Sequence, residues 1–495
     1  MSESRFHPLE HYQRSSTAYR LLPFRYMRWQ GGEVLLVNEA GEHLFMDPLA
    51  FGEFAAHRLP PSSLVYGDLK ARHFLADGPL TIPLELLATK VRTKRSFLDG
   101  FTKLHLFVIT LRCDHSCPYC QVSRVSGNKK RFDMSPSIAE RAIELLFRSP
   151  SPSLKVEFQG GEPLLNVELL RFIVERVAAR CESEGREVEF VVATNLALLT
   201  DDILSFLAQH RILISTSLDG PQFLHNANRP RPGNDSHQVT ARNVARAREA
   251  LGMDRVSALM TTTERSLDYP REIVDEYVRL GFGAIFLRWI SPYGFAVRTG
   301  LAARYQTAQF LEFYRTALDR IICVNRSGVA FKEVYAELLL RKILTPFPTH
   351  YVDLQSPAGA GIGAVVYNYD GDVYASDEAR MLAEMGDRTF RLGNVFRDSY
   401  EEIFGGDVLR DLTAASVLES LPGCTDCAFL PYCGGDPVFH HRTQGDPIGH
   451  RPTSAFCERN MGILRHLFGL MHKGDPFTEG LLTSWATGVD PRESR

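Results

Sequence analysis

Leu104-His-Leu-Phe-Val-Ile-Thr110 runs through Leu111-Arg112 into Cys113-Asp114-His115-Ser116-Cys117-Pro118-Tyr119-Cys120, and this passage decides how the rest of the chain is read. A near-continuous apolar run predicts a strand buried on both faces, as in a parallel sheet. Three thiols on one tight loop can hold three irons of a four-iron cube, whereas a structural cluster normally uses four cysteines. The absent fourth ligand leaves one iron open to a substrate or cofactor, the logic that separates catalytic from structural zinc sites. A zinc knuckle with a remote fourth ligand, His115 being a candidate, is the competing reading of the same loop.

Five more strand-like runs follow, at 154–159, 188–194, 212–218, 256–262 and 284–290. Helical patterns at 136–147, 166–180, 201–209, 237–251 and 271–280 separate most of them. Ser135 caps the first helix, and Gly252 and Gly281 stop the last two. Six such units predict an α/β chain with a partial (β/α)6 barrel, or failing that an open doubly wound sheet. In both, the site lies at the C-terminal ends of the strands. The motifs fall there. Gln159-Gly160-Gly161-Glu162-Pro163 follows the second strand, where a glycine pair lets backbone approach a ligand and expose its amides. Thr194-Asn195 ends the third strand. Ser217-Leu218-Asp219-Gly220-Pro221 ends the fourth, followed by His225 and Arg229.

C-x3-C-x2-C after the first strand, with an aromatic before the last cysteine, resembles the signature of radical S-adenosylmethionine (SAM) enzymes. The resemblance implies a [4Fe–4S] cluster on Cys113, Cys117 and Cys120, whose open iron is chelated by SAM. One electron then cleaves SAM to methionine and a 5′-deoxyadenosyl radical, which abstracts a substrate hydrogen. By the same likeness Gly160, Gly161 and Glu162 bind the SAM amino group, and Asn195 joins the SAM site. Ser217 contacts the ribose, and the Arg229 fork pairs with the methionine carboxylate. His225 and Asp219 are expected to be structural.

Cys424-x2-Cys427-x5-Cys433, then Cys457, resembles the SPASM extension of peptide-modifying radical SAM enzymes, which usually carries seven cysteines and two auxiliary clusters. Three of those cysteines are missing, with Ala358, Ser376 and Pro437 in their places. In the family the lost three serve the auxiliary cluster nearer the substrate. The resemblance therefore implies one auxiliary [4Fe–4S] cluster held by Cys424, Cys427, Cys433 and Cys457. A four-cysteine zinc site is the alternative. Asp377, after Ser376, stands where sulfatase-maturing relatives place a base. It is the candidate catalytic residue, against the plainer reading of a loop carboxylate. Cys181 and Cys323 are expected to be buried small apolar residues.

Four segments are expected: an N-terminal α+β unit over 1–95, the barrel over 96–330, a C-terminal Fe–S extension over 331–474, and a poorly ordered tail over 475–495. Residues 90–103 read as a basic linker with solvated charges. The N-terminal unit has strands at 34–37 and 43–46 and helices at 48–56 and 65–75. It loosely resembles elements that grip leader peptides by adding a strand, with a cap over the barrel as the alternative. The formal net charge of −3 argues against nucleic-acid binding. No apolar run approaches the ~20 residues that span a bilayer. Met1 to Glu10 lacks the basic start of a signal peptide. Cytoplasm is the expected compartment, where nine cysteines suit ligands and free thiols better than disulfides.

Over nearly its full length the chain is similar to the His-Xaa-Ser system radical SAM maturases. That likeness implies a peptide or protein substrate with His-Xaa-Ser repeats, a second radical SAM partner, and a reductant such as a flavodoxin or ferredoxin. A radical SAM enzyme of the sulfatase-maturase type or acting on a small molecule is the second reading. A non-enzymatic Fe–S or zinc protein is the third, against which the SAM-site motifs argue.

Overall fold

A computed structural model describes residues 19–489 apart from 126 and 473. The reading of Met1 to Glu10 and the last six residues of the tail lie outside the described residues.

In the N-terminal unit, β1 (Phe24–Arg28), β2 (Val34–Asn38) and β3 (His43–Met46) form an antiparallel sheet in that order. Side chains on a strand alternate between faces, and β2 uses both. Val34 and Leu36 join Phe54, Leu69 and Phe74 in a small core of their own. Leu35 and Val37 enter the main core of the protein. The unit is therefore docked by one face of its sheet. Tyr432, from the C-terminal cysteine segment, completes the joint by donating its hydroxyl to Gly41 O at 2.8 Å.

Two expectations for this region change. The helix predicted over 65–75 is Leu64–Ala71, and Leu75–Ala76 instead pairs antiparallel with Arg20–Leu21. The break comes at His73, whose φ of 54° is left-handed. Residues 81–94 form a helix where a linker was expected to begin. Its charges are anchored: Lys90 Nζ donates to Glu42 Oε1 at 2.6 Å and Lys94 Nζ to Lys342 O at 2.6 Å.

The main sheet has eight strands. β4 (Leu104–Thr110), β5 (Ser153–Gly160), β6 (Glu187–Thr194), β7 (Leu213–Ser217) and β8 (Val256–Leu259) are successive parallel neighbours. On the far side of β4 the sheet continues through β9 (Ala364–Tyr367), parallel to β4, then β10 (Asp372–Tyr374) and β11 (Arg391–Asn394), both antiparallel. The helices Pro136–Phe147 and Asp201–Gln209 start as their capping residues dictate: Ser135 Oγ accepts from Ile138 N and Thr200 Oγ1 from Ile203 N.

The sixth strand, predicted over 284–290, is a correction. Only Ala284–Ile285 is regular, and it pairs with Lys332–Glu333 in a separate two-stranded sheet. Beyond it, the Leu287 amide is taken by the carboxylate of wholly buried Glu333 at 3.1 Å, which also accepts from Tyr314 Oη and Ala336 N, each at 2.6 Å. A side chain replaces the ladder. The run stays beside the segment that follows β8, where Thr262 N donates to Arg288 O at 2.7 Å.

Two helices, Thr307–Arg326 and Val334–Leu344, occupy most of 300–350. The tail differs from expectation: Pro476–Thr487 is a helix that packs on Val334–Leu344 and buries Leu482 and Trp485. Cys181 is buried as read, whereas Cys323 is exposed, because it lies on the outer side of its helix. Among the described residues no helix is long and apolar enough to cross a membrane.

Replacing Glu333 with Ala strips an acceptor from three buried donors and is expected to cost about 3 kcal/mol, read as a lower denaturant midpoint. Glu333→Gln keeps one acceptor oxygen and should cost less.

Candidate active site and metal centres

The cysteine loop is held from below by its own root. Arg112 forks onto Asp133, Nε to Oδ1 and Nη2 to Oδ2, both at 2.7 Å. The loop then folds back, Cys113 N donating to Val125 O and Val125 N to Leu111 O. Cys113, Cys117 and Cys120 end up lining one cavity of about 240 Å³ at the C-terminal ends of β4 to β8.

Gly160, Gly161, Glu162, Asn195, Ser217 and Arg229 line the same cavity, so every residue expected at the SAM site is in one place. Their internal bonds refine the expected roles. The amides after the glycine pair point inward: Gly161 N donates to Thr110 O at 2.8 Å and Glu162 N to Arg112 O at 2.7 Å. A Cβ at Gly160 would overlap the Thr110 carbonyl and one at Gly161 the Arg112 carbonyl. The glycines thus let β5 close onto the cysteine loop.

The Glu162 carboxylate, buried at the centre, accepts from Leu164 N (3.0 Å), Thr194 Oγ1 (2.6 Å) and Asn195 N (2.8 Å). Burial pushes its pKa up to about 7, against these three bonds. Asn195 Nδ2 in turn donates to Asp114 Oδ1 at 2.7 Å, inside the cysteine loop. His115 Nδ1 sits 3.1 Å from the same oxygen, so that ring nitrogen is engaged and does not face a metal. Ser217 lines the cavity from the end of β7.

Arg229 holds Asp219 with both arms of its fork, Nε to Oδ2 at 3.0 Å and Nη2 to Oδ1 at 3.1 Å. Tyr119 Oη adds a third bond to Asp219 Oδ2 at 2.6 Å. The fork expected for a ligand carboxylate is spent on the wholly buried Asp219. His225, also buried, accepts from Asp219 N through Nδ1 at 3.3 Å, a structural place for both residues.

Asp377 faces the cavity from the helix Asp377–Ala383, whose N-cap is Ser376. Its Oδ1 is paired with fully buried Arg380, Nη2 at 2.9 Å. Beside it lie residues that sequence reasoning missed: Arg288, Asp353, Glu378 and Asp436. Burial first, then the neighbouring carboxylates, raise Glu378 to about 8; burial raises Asp436 to about 7. A signal existed. Asp436 adjoins Pro437 and Glu378 lies two residues after Ser376, two of the positions that depart from the cysteine pattern.

Cys424, Cys427, Cys433 and Cys457 come close enough to act on one another's charge, which makes them the candidates for a second centre. Burial, then the other thiols, pushes Cys433 up to about 12 and Cys457 to about 11. Leu418, Leu421 and Leu430 pack around Cys424 and Cys433. Lys342 Nζ donates to Cys433 O at 2.8 Å, and burial lowers its own pKa to about 7. In the three-cysteine loop burial likewise lifts Cys117 to about 12, so a metal held by these thiols would displace their protons. Among the described residues no three His, Cys, Asp or Glu side chains converge on a point as one metal ion requires.

Residues 107–276 match the family model described as the Radical SAM superfamily. This segment is a radical SAM domain. Members of the superfamily bind a [4Fe–4S] cluster and SAM, and the cysteines that such binding needs are present. The radical SAM cyclopropyl synthase TigE of Paramaledivibacter caminithermalis is 28% identical over 151 residues, 28% of this chain and 31% of the synthase's own length. The serine-type anaerobic sulfatase-maturating enzyme of Bacteroides thetaiotaomicron is 23% identical over 362 residues, 69% of this chain and 83% of that enzyme. The solved structure of anSMEcpe with bound AdoMet and Cp18Cys peptide superposes with a TM-score of 0.62 at 17% identity, covering 77% of this chain and 99% of that one. That likeness is one of fold, an α/β radical SAM fold.

Gly161→Ala is expected to force β5 off the cysteine loop and cost the iron of the first centre. Were both cysteine groups to hold a four-iron cluster, iron content after anaerobic reconstitution should fall to about half of the wild type.

Proposed function

We propose that the protein is a radical SAM enzyme that cleaves SAM reductively and modifies a ribosomally made peptide or protein. The observation that carries this reading is the shared cavity, in which three cysteine thiols meet the expected SAM-site residues and the charged groups at Arg288 and Asp377. When bound, the cluster and SAM supply a 5′-deoxyadenosyl radical.

The chain's own residues prepare that place. Cys113, Cys117 and Cys120 would hold the cluster. Glu162, tied to β6 through Thr194 and Asn195, would fix the SAM end of the cavity. Ser217 would meet the ribose. Arg229, held by Asp219, would lend positive charge beside the cluster rather than a free fork. Burial of the loop keeps bulk water from the site, which protects a reactive radical from side reactions. Asp377 would act as a base only if its pairing with Arg380 loosened when substrate bound.

Cys424, Cys427, Cys433 and Cys457 would hold one auxiliary [4Fe–4S] cluster. Its full ligation suits electron transfer or structure rather than substrate binding. Residues 1–95 would serve as the peptide-recognition element, 96–330 as the SAM domain and 331–474 as the auxiliary-cluster extension. Within the peptide class, a His-Xaa-Ser repeat substrate, modified alongside a second radical SAM partner with electrons from a flavodoxin or ferredoxin, is supported by the whole-length likeness described above. The relatives' names, cyclopropyl synthase and sulfatase-maturating enzyme, support radical chemistry on such substrates.

Two measurements test the reading. Wild-type protein, reconstituted anaerobically and reduced with dithionite in the presence of SAM, should form 5′-deoxyadenosine and carry about eight irons. Replacing Cys113, Cys117 and Cys120 together with Ala should leave about four irons and no nucleoside; nucleoside from that variant would refute the assignment. Replacing Cys424 and Cys427 should also leave about four irons but retain part of the SAM cleavage. A SAM-dependent mass change in a His-Xaa-Ser repeat peptide would establish the substrate.

A further inference from the structure

Three arginines line the cavity into which the three cysteines open: Arg124, Arg229 and Arg288. Two of them face a carboxylate. Arg229 is forked onto buried Asp219, and Arg288 lies 4.0 Å from Glu378. Arg124 pairs with no carboxylate among the described residues. Its Nε is buried without a hydrogen-bond partner, although buried polar atoms are normally satisfied. Its guanidinium instead rests 5.0 Å from the centre of the Phe295 ring, and Arg298 lies 5.4 Å from the same ring. The shared ring brings a second cation near it, not an acid.

The backbone fixes where Arg124 stands. It comes four residues after Cys120, close enough to Cys117 for its charge to act on that thiol. Phe295 N donates to Cys120 O at 2.7 Å. Gly294 before it has a φ of 56°, and a Cβ there would overlap the carbonyls of Cys120 and Gln121. The short helix Gly294–Arg298 is thereby pressed onto the end of the cysteine loop and holds Phe295 against Arg124. An aromatic face supports a guanidinium without using its N–H groups, so the fork keeps its donors for a ligand.

A planar fork beside the three cysteines suits a carboxylate. The family likeness gives that role to Arg229, but Arg229 has both arms on Asp219. We propose that Arg124, and not Arg229, pairs with the methionine carboxylate of SAM. The inference rests on the reading of the protein as a SAM-cleaving enzyme and adds to it a residue that positions the ligand. Removing the charge of Arg124 would then weaken SAM binding while leaving the cysteines in place.

The test uses the full chain, reconstituted anaerobically and titrated with SAM by calorimetry with no reductant present. Iron content is measured on each sample. Arg124→Gln should keep wild-type iron and bind SAM at least about tenfold more weakly, as expected when one partner of a desolvated charge pair is removed. Arg124→Lys keeps the charge without the fork and should bind at least about threefold more tightly than Arg124→Gln. Unchanged SAM affinity in Arg124→Gln would overturn the proposal, and so would a Lys variant no better than the Gln variant. Should Arg124→Gln fail to take up iron, Arg124→Met, which keeps an apolar stem against Phe295, takes its place in the comparison. If neither neutral variant takes up iron, the proposal falls, because Arg124 then holds the loop rather than the ligand. Failure of the enzyme reading shows separately, as wild-type protein that takes up iron but neither binds SAM nor makes 5′-deoxyadenosine.

Discussion

The structure depends on a clasp between two neighbouring strand ends. Gly161 N and Glu162 N donate to Thr110 O and Arg112 O, so the turn after β5 is bonded to the root of the cysteine loop. Only glycine lets the two backbones come this close. From there the constraint spreads. Glu162 reaches β6 through Thr194 and Asn195, and Asn195 returns to Asp114 in the loop. Three strand ends and the cysteine loop thus form one bonded ring. A loop carrying three thiols needs such support, because a misplacement of the reacting groups by about 1 Å costs catalysis heavily.

The two flanking regions are tied to this centre by different physics. β9 adds to the sheet edge beside β4, pairing Ala364 with Leu104 and Tyr367 with Phe107. The segment that ends in Ser376 and Asp377 is therefore carried by the strand next to the cysteine loop's own. The N-terminal unit is attached by apolar burial of Leu35 and Val37 and by Tyr432 on Gly41. It rests on the C-terminal cysteine segment, so the peptide-recognition element we assign to it and the second metal centre share a joint. Arg25 Nε adds to that joint by donating to Thr425 O, between Cys424 and Cys427.

Local patterns carried most of the fold that could be read from sequence. The helices over 136–147 and 201–209 and the strand over 43–46 lie where spacing and capping put them. The failures share a cause. An apolar run over 284–290 says that the chain is extended but not what it pairs with, and its partner Glu333 comes 46 residues after Leu287. The helix over 81–94 buries little besides Leu87, so its sequence shows no apolar stripe; it is held by lysines reaching distant acceptors. The cysteines and glycines of the site were legible because their chemistry is written in short spacings. The charged groups around Glu378 were not, because they come from five separate segments, at 288–293, 353, 377–378, 436 and 459, that meet only in the fold.

Electrostatic cost explains why that cluster stands out. Burial first, then repulsion from neighbouring carboxylates, holds the carboxyls of Glu378 and Asp436 near 8 and 7. Sites that keep such opposition are commonly those that bind or react. Two of the departures from the seven-cysteine pattern, Ser376 and Pro437, stand next to Asp377 and Asp436. At these positions thiols give way to neighbours of ion-paired carboxylates: Asp377 is held by Arg380, and Glu378 lies 4.0 Å from Arg288.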